Sequence, residues 1–138
     1  MLLIVPLMKI VEMNDLETRE DIELLVNKFY QKIQTDNKIG LFFNDIGKVD
    51  WSKHLPKMYD FWESILFGQM TYKGNPMRVH FPINEIKAIE KEHFEHWIKL
   101  WSETVEENFS GKNADLAIYK ANNIANLMAY KMEMARRL

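Results

Sequence analysis

WSKHLPKMYDFWESILFG, residues 51–68, and YKGNPMRVHFP, residues 72–82, decide how this chain is read. In the first, Trp51, Leu55, Met58, Tyr59, Trp62, Ile65 and Leu66 recur at helical steps and build a broad apolar stripe on one side. His54 joins that stripe, one turn beyond Trp51 and one turn before Met58. Asp50 can cap the helix. Pro56 lacks an N–H and crowds the preceding turn, which moves the expected start of regular helix from Trp51 toward His54. In the second stretch, Asn75 and Pro76 predict a cap followed by a first-turn proline, and so a short helical segment carrying Met77 to His80. Pro82 disfavours helix at Phe81 and is expected to end that segment. Two of the four histidines therefore stand beside large apolar surfaces.

Upstream, Thr18 and Asp21 predict a capped helix start, and Ile22, Leu25, Val26, Phe29 and Ile33 follow as its buried stripe. Tyr30 lies at the edge of the stripe, where its ring can pack inward while its hydroxyl reaches a polar feature in a pocket. Gly40 breaks the pattern before Leu41-Phe42-Phe43, which reads either as a turn of helix or as an extended piece. Residues 68–74 are a connection. Downstream, Asn84 is expected to cap the longest helix, whose apolar face runs through Ile86, Ile89, His93, Phe94, Trp97, Leu100, Trp101 and Thr104 toward Phe109. Ser110-Gly111 breaks it. A last helix over Asn113 to Met134 offers Ala114, Ala117, Ala121, Ala125 and Met128 inward, small residues that allow close approach to its neighbour, with Met132 and Met134 at a fraying end. No strand alternation or internal repeat is visible. The pattern predicts an all-α domain whose last two helices form an antiparallel pair.

With 138 residues and 47% hydrophobic content, including four Trp, five Tyr and eight Phe, the chain can bury the core of one domain. It contains no Cys, which excludes disulfides, thiolate metal sites and cysteine nucleophiles and fits a cytoplasmic setting. Eighteen basic against twenty acidic side chains leave no concentrated basic footprint, so nucleic acid is not an expected partner. The start, MLLIVPLMKIVEM, is too short an apolar run for stable membrane insertion and lacks a signal-peptide pattern. It reads as a terminal extension, with translation from Met8 or Met13 or a weak membrane-surface contact as the other readings. The expected organisation is an N-terminal extension over residues 1–17 and a single domain over 18–138.

His80 is the strongest ligand candidate, because an imidazole held at an apolar slot suits haem iron, one ring nitrogen coordinating while the other donates to a carbonyl. A structural histidine is the plain alternative. Arg78 can meet a haem propionate at the rim. His54 suits the opposite side of such a slot, as a donor to a small ligand, a gate, or a second direct ligand. Tyr30 and Trp97 each pair a flat apolar body with a hydrogen-bond donor, although Trp97 also continues the stripe of Trp101. His93 and His96 lack the HExxH context of a zinc hydrolase, and no glycine-rich phosphate loop or nucleophile elbow is present. The nine Met allow a pliable interaction groove, though several fall at core positions.

Taken in order, the Phe29-Tyr30 pair, Phe43, WxxHLPKMYDFWxxxLFG, YxGNPxxxH ending at His80, and HFxxWxxLW with Trp97 and Trp101 resemble the group III truncated haemoglobins, a bacterial globin family. The resemblance runs from about Asp21 to Ala129. It implies a globin-like, truncated two-over-two helical sandwich that holds haem b. It makes His80 the proximal iron ligand, places Tyr30 and Trp97 on the distal side with His54 at the distal gate, and gives Phe43, Met58 and Trp62 porphyrin or pocket contacts. The glycine-pair motifs of other truncated globin groups are absent, and the N-terminal extension is the main departure from the family core.

The function so implied is reversible binding of oxygen, nitric oxide or carbon monoxide at ferrous haem. Two distal donors favour a ligand that gains negative charge, so high oxygen affinity through slow escape is expected, and bulk oxygen delivery is not. Haem-dependent detoxification, by nitric-oxide dioxygenation or peroxide reduction, is the enzymatic alternative and needs a reductase or other donor. A haem-free helical sensor or interaction module is the remote one.

Overall fold

The computed structural model describes residues 13–137, and the expectations drawn for residues 1–12 lie outside that range. Five α-helices follow in order: α1 (Arg19–Gln34), α2 (Trp51–Phe67), α3 (Phe81–Ile86), α4 (Lys91–Asn108) and α5 (Lys112–Arg136). A π-helical turn (Phe42–Ile46) lies between α1 and α2, and a 3-10 turn (Arg78–His80) runs into α3. No strand occurs among the described residues.

Two antiparallel pairs make the body. Arg19, at the start of α1, bonds Asp60 (2.8 Å) and Glu63 (3.0 Å) in the second half of α2, whereas Tyr30, late in α1, packs on Trp51 and His54 at the start of α2. Likewise Arg136, at the end of α5, reaches the carbonyl of Ile89 and the carboxylate of Glu90 at the start of α4. The pairs cross through aromatic rings. Trp62 of α2 stacks on Trp101 of α4 at 4.3 Å, and Phe29 of α1 meets Trp101 edge-on at 5.0 Å. Close packing of α5 on α4 follows from its buried alanines, 114, 117, 121 and 125, and brings the indole N–H of Trp101 to the Ala117 carbonyl at 3.2 Å. The arrangement is the all-α, two-over-two sandwich that the sequence implies.

Local chemistry sets the helix ends. The Thr18 hydroxyl accepts the Asp21 N–H (3.1 Å) and the Asp21 carboxylate accepts the Thr18 N–H (3.1 Å), a reciprocal cap. Removing it by Thr18→Ala is expected to cost about 1 kcal/mol, read as a lower urea midpoint at unchanged slope. Upstream of this cap the packed body continues past the boundary drawn at residue 18. Leu16 is fully buried, and the Asp15 carboxylate caps α5 by accepting the N–H groups of Asn113 and Ala114. Burial pushes that carboxyl up, but these donors and the Leu16 N–H outweigh it and hold Asp15 below its usual value. A Cβ on Gly111, where φ is 144°, would stand 2.5 Å from the same carboxyl carbon, so this turn excludes side chains.

Several expectations change. Helix α2 starts at Trp51 and not near His54, because the Asp50 carboxylate caps the Ser52 N–H (3.1 Å) and Pro56 removes only one N–H from the ladder. Pro82 does not end the segment at Phe81. Phe81 is helical and opens α3, with Pro82 in its first turn, where a missing N–H costs nothing. Asn84 does not cap the next helix; it is buried inside α3, donating to the Met132 carbonyl (3.1 Å) and accepting the Ile89 N–H (3.0 Å). Helix α4 instead begins at Lys91, capped by Glu90 with His93, and Ile86 is exposed. The longest helix is α5, and its Met132 is fully buried in the core and not fraying.

Candidate functional site

A cavity of about 450 Å³ opens between the two helix pairs, within the ~300–1,000 Å³ usual for small-molecule and cofactor sites. Tyr30, Phe43, His54, Met58, Trp62, His80 and Trp97 all line it, so seven of the eight residues singled out from sequence meet around one space. Arg78 does not. It is exposed and off the cavity wall.

The wall is aromatic on the α1–α2 side. His54 lies edge-on to Tyr30 (5.1 Å), to Trp51 (5.6 Å) and to Phe43 (6.3 Å), and Phe43 stacks on Trp51. These contacts arise because His54 projects one turn from Trp51 on α2 while the π-helical turn delivers Phe43 to the same place. Gly40 permits that approach: a Cβ there would sit 2.8 Å from the Ile33 carbonyl oxygen. From α4, Trp97 meets Phe29 edge-on at 5.6 Å.

His80 is oriented by its own turn. Its Nδ1 is hydrogen-bonded to the Pro76 carbonyl, and a carbonyl oxygen can only accept, so the proton resides on Nδ1 and Nε2 carries the lone pair. The turn is held by the Asn75 side chain, which accepts the Arg78 N–H at 3.1 Å, and by the Met77 carbonyl, which accepts the His80 N–H at 3.3 Å. Burial pulls the His80 imidazole below its usual value, and the Pro76 bond only partly offsets this, so the ring is neutral near pH 7.

His54 carries a complementary feature. Its Nε2 is buried and finds no hydrogen-bond partner among the described residues. Burial, followed by the nearby His80 and Lys57, depresses its pKa to about 4. Tyr30 is driven the other way by burial and keeps its proton throughout the physiological range. A His neutral in the fold but chargeable once unfolded makes the unfolded chain the stronger proton binder between pH 6.5 and about 4. Stability contributed by neutral His54 is therefore complete above 6.5 and is lost as the pH falls to about 4. In the ligand-free protein, His54→Phe should reduce the fall in Tm across that window by roughly 4 °C or more and leave the neutral-pH Tm little changed.

Some wall residues carried no sequence signal strong enough to single them out. Among the described residues, Lys57 and Lys73 line the cavity and no carboxylate does, which gives its wall a positive character. Lys57 lies one helical turn after His54, a spacing that places both on one face. Lys73 sits in the connection before the 3-10 turn, where no periodicity exists. Tyr72, Ile83 and Met128 also reach the wall. His93 lines the far end with Phe42 edge-on at 4.9 Å, but its Nδ1 accepts the Glu90 N–H, while His96 is turned to the Asp36 carboxylate at 2.7 Å. The two rings are thus committed to different partners.

An unshared lone pair on His80 Nε2, an orphaned Nε2 on His54, an aromatic slot between them and two lysines on the wall suit a flat apolar group with a central metal and an acidic edge. Haem has these properties.

Comparison with known proteins agrees. The family model described as bacterial-like globin matches residues 14–131. A group 3 truncated hemoglobin of Campylobacter jejuni subsp. jejuni serotype O:2 is 31% identical over 111 residues, spanning 78% of this chain and 85% of the relative. The crystal structure of a group III truncated hemoglobin from Campylobacter jejuni superposes with a TM-score of 0.75 at 27% identity, covering 88% of this chain and 95% of the other. This chain therefore belongs to the bacterial-like globins, as a truncated haemoglobin of group III and so a globin-type haem protein.

Proposed function

We propose that the protein binds oxygen or another diatomic ligand reversibly at ferrous haem b, with His80 as the proximal ligand and Tyr30, Trp97 and His54 as the distal polar set. The observation that supports this reading is the hydrogen bond from His80 Nδ1 to the Pro76 carbonyl, which leaves the Nε2 lone pair of a cavity-lining residue available to coordinate. When bound, haem b supplies a ferrous iron that takes one small molecule as an additional ligand.

The remaining work falls to the chain. The Pro76 carbonyl draws on the Nδ1 proton and raises the donor strength of Nε2. Phe43, Met58 and Trp62 exclude water, which strengthens every electrostatic contact inside. Tyr30, kept protonated by burial, donates to the part of the ligand that gains negative charge, and Trp97 offers a second donor from α4. Neutral His54 presents Nε2 to the same space and contributes a hydrogen bond without a net charge. At the rim, Lys57 and Lys73 are better placed than Arg78 to meet carboxylates.

Titrating the ligand-free protein with haemin should yield one equivalent of uptake and a spectrum that shifts on reduction and again on carbon monoxide addition. A folded, colourless protein that ignores haemin would sink the proposal.

A further inference from the structure

The connection over residues 68–77 contains no helix, yet its last part fixes the carbonyl on which His80 depends. It is anchored to the second half of α2, over residues 60–64. The Ser64 hydroxyl accepts the Tyr72 N–H (3.0 Å) and donates to the Asp60 carbonyl (2.8 Å). Next to it the Thr71 hydroxyl donates to Glu63 (3.1 Å), the carboxylate that also holds Arg19 of α1 (3.0 Å). The Tyr72 ring then folds across Gly74. A Cβ on Gly74 would stand 2.6 Å from the Tyr72 hydroxyl oxygen and 2.8 Å from its ring carbon, so only glycine fits beneath the ring as placed. Tyr72 is not free to swing away without loss, because its other side packs edge-on against Phe61 of α2 at 5.2 Å. Two residues after Gly74 comes Pro76.

From this we infer that Ser64, Tyr72 and Gly74 are positioning residues for His80: they clamp the connection to α2 so that the Pro76 carbonyl meets Nδ1. Among the described residues, none of the three hydrogen-bonds to His80, whose ring is held by the Pro76 carbonyl. They act through a peptide group, and the YxG of the YxGNPxxxH block is the part of the clamp visible in sequence. The inference deepens the proposed function and rests on it for its relevance to haem, but the placement of the His80 proton is a property of the chain alone.

The decisive measurement separates the two. In the haem-free protein with labelled histidine, the ring nitrogen shifts of His80 report the ratio of its Nδ1–H to Nε2–H forms. Ser64→Ala and Gly74→Ala should each lower that ratio roughly five-fold, what the loss of one neutral hydrogen bond produces. Ser64→Thr, which keeps the oxygen, should restore it. In the haem-loaded ferrous protein, the same Ser64→Ala and Gly74→Ala changes should lower the iron–imidazole stretching frequency and speed haem loss roughly ten-fold. Ser102→Ala on α4 serves as the control for a general loss of stability. A wild-type tautomer ratio in Ser64→Ala overturns the inference, as does an equal effect in Ser102→Ala. If the ratio shifts as expected while the haem spectrum is indifferent to His80 itself, the clamp stands and the proximal assignment falls.

Discussion

A His80→Ala chain is expected to fold and yet to release haem at least about a hundredfold faster than the native protein, with its axial-ligand spectrum gone. The magnitude follows from a comparison: removing an outer partner of a metal ligand already costs about 10- to 100-fold in affinity, and here the ligand itself is removed. Folding should survive because His80 is only half-buried and lies on a short turn, while the core rests on rings and methyls elsewhere, Trp101, Phe29, Leu25 and Met132 among them. The side-chain deletion leaves a gap beside the Pro76 carbonyl that imidazole from solution can fill. Added imidazole should therefore restore the spectrum in the variant and do so by titration. Haem transfer to a scavenging acceptor protein gives the rate. Unchanged retention and an unchanged spectrum would mean that a different side chain holds the iron.

How far these features could be read without coordinates depended on whether local or distant groups decided them. Helix α1 was legible because a reciprocal Thr18–Asp21 cap and a regular stripe agree on the same start and the same face. The cavity was legible for a similar reason: Trp51, His54, Met58 and Trp62 share one helix face. Family resemblance then supplied roles that spacing alone could not, since a histidine on a helix edge is usually structural.

The misreadings share a physical cause. Asn84 precedes a run of helical spacing and resembles a cap, but besides the Ile89 N–H its partners are Met132 and Arg136, 48 and 52 positions away. Nothing in the neighbouring residues distinguishes an asparagine that caps its own helix from one that stitches two others together. Arg78 was placed at the rim through its nearness to His80 in sequence. In a 3-10 turn, successive side chains are about 120° apart, so two positions along the chain the side chains diverge. Proximity in space belonged to Lys57, one turn from His54, and to Lys73, delivered by the connection that Ser64 holds. Leu16 and Asp15 escaped because a single buried leucine and a single cap show no periodicity, and the residues that receive them lie about a hundred positions on.

Tyr30→Phe should speed oxygen release by about ten- to hundredfold, while carbon monoxide release changes by no more than about three-fold. The substitution removes one oxygen atom and keeps the ring, so the edge-on contacts of Tyr30 with Phe29 (4.9 Å), Phe43 (5.8 Å) and His54 (5.1 Å) persist and the shape of the cavity is preserved. What disappears is a donor. A hydrogen bond to a group bearing charge is worth about 1.5–3 kcal/mol, against roughly 1 kcal/mol between neutral groups. Oxygen gains negative charge at ferrous haem and carbon monoxide gains little, so the loss falls mainly on oxygen. The hydroxyl is available to donate, because burial keeps it protonated and hydrogen bonding contributes nothing to that shift. Association rates should move little, because access is set by side chains the substitution leaves in place. Flash photolysis and stopped-flow mixing separate the two steps. Equal acceleration for both gases would show that Tyr30 shapes the cavity without donating, and the burden of holding oxygen would then pass to Trp97 and to the unpartnered Nε2 of His54.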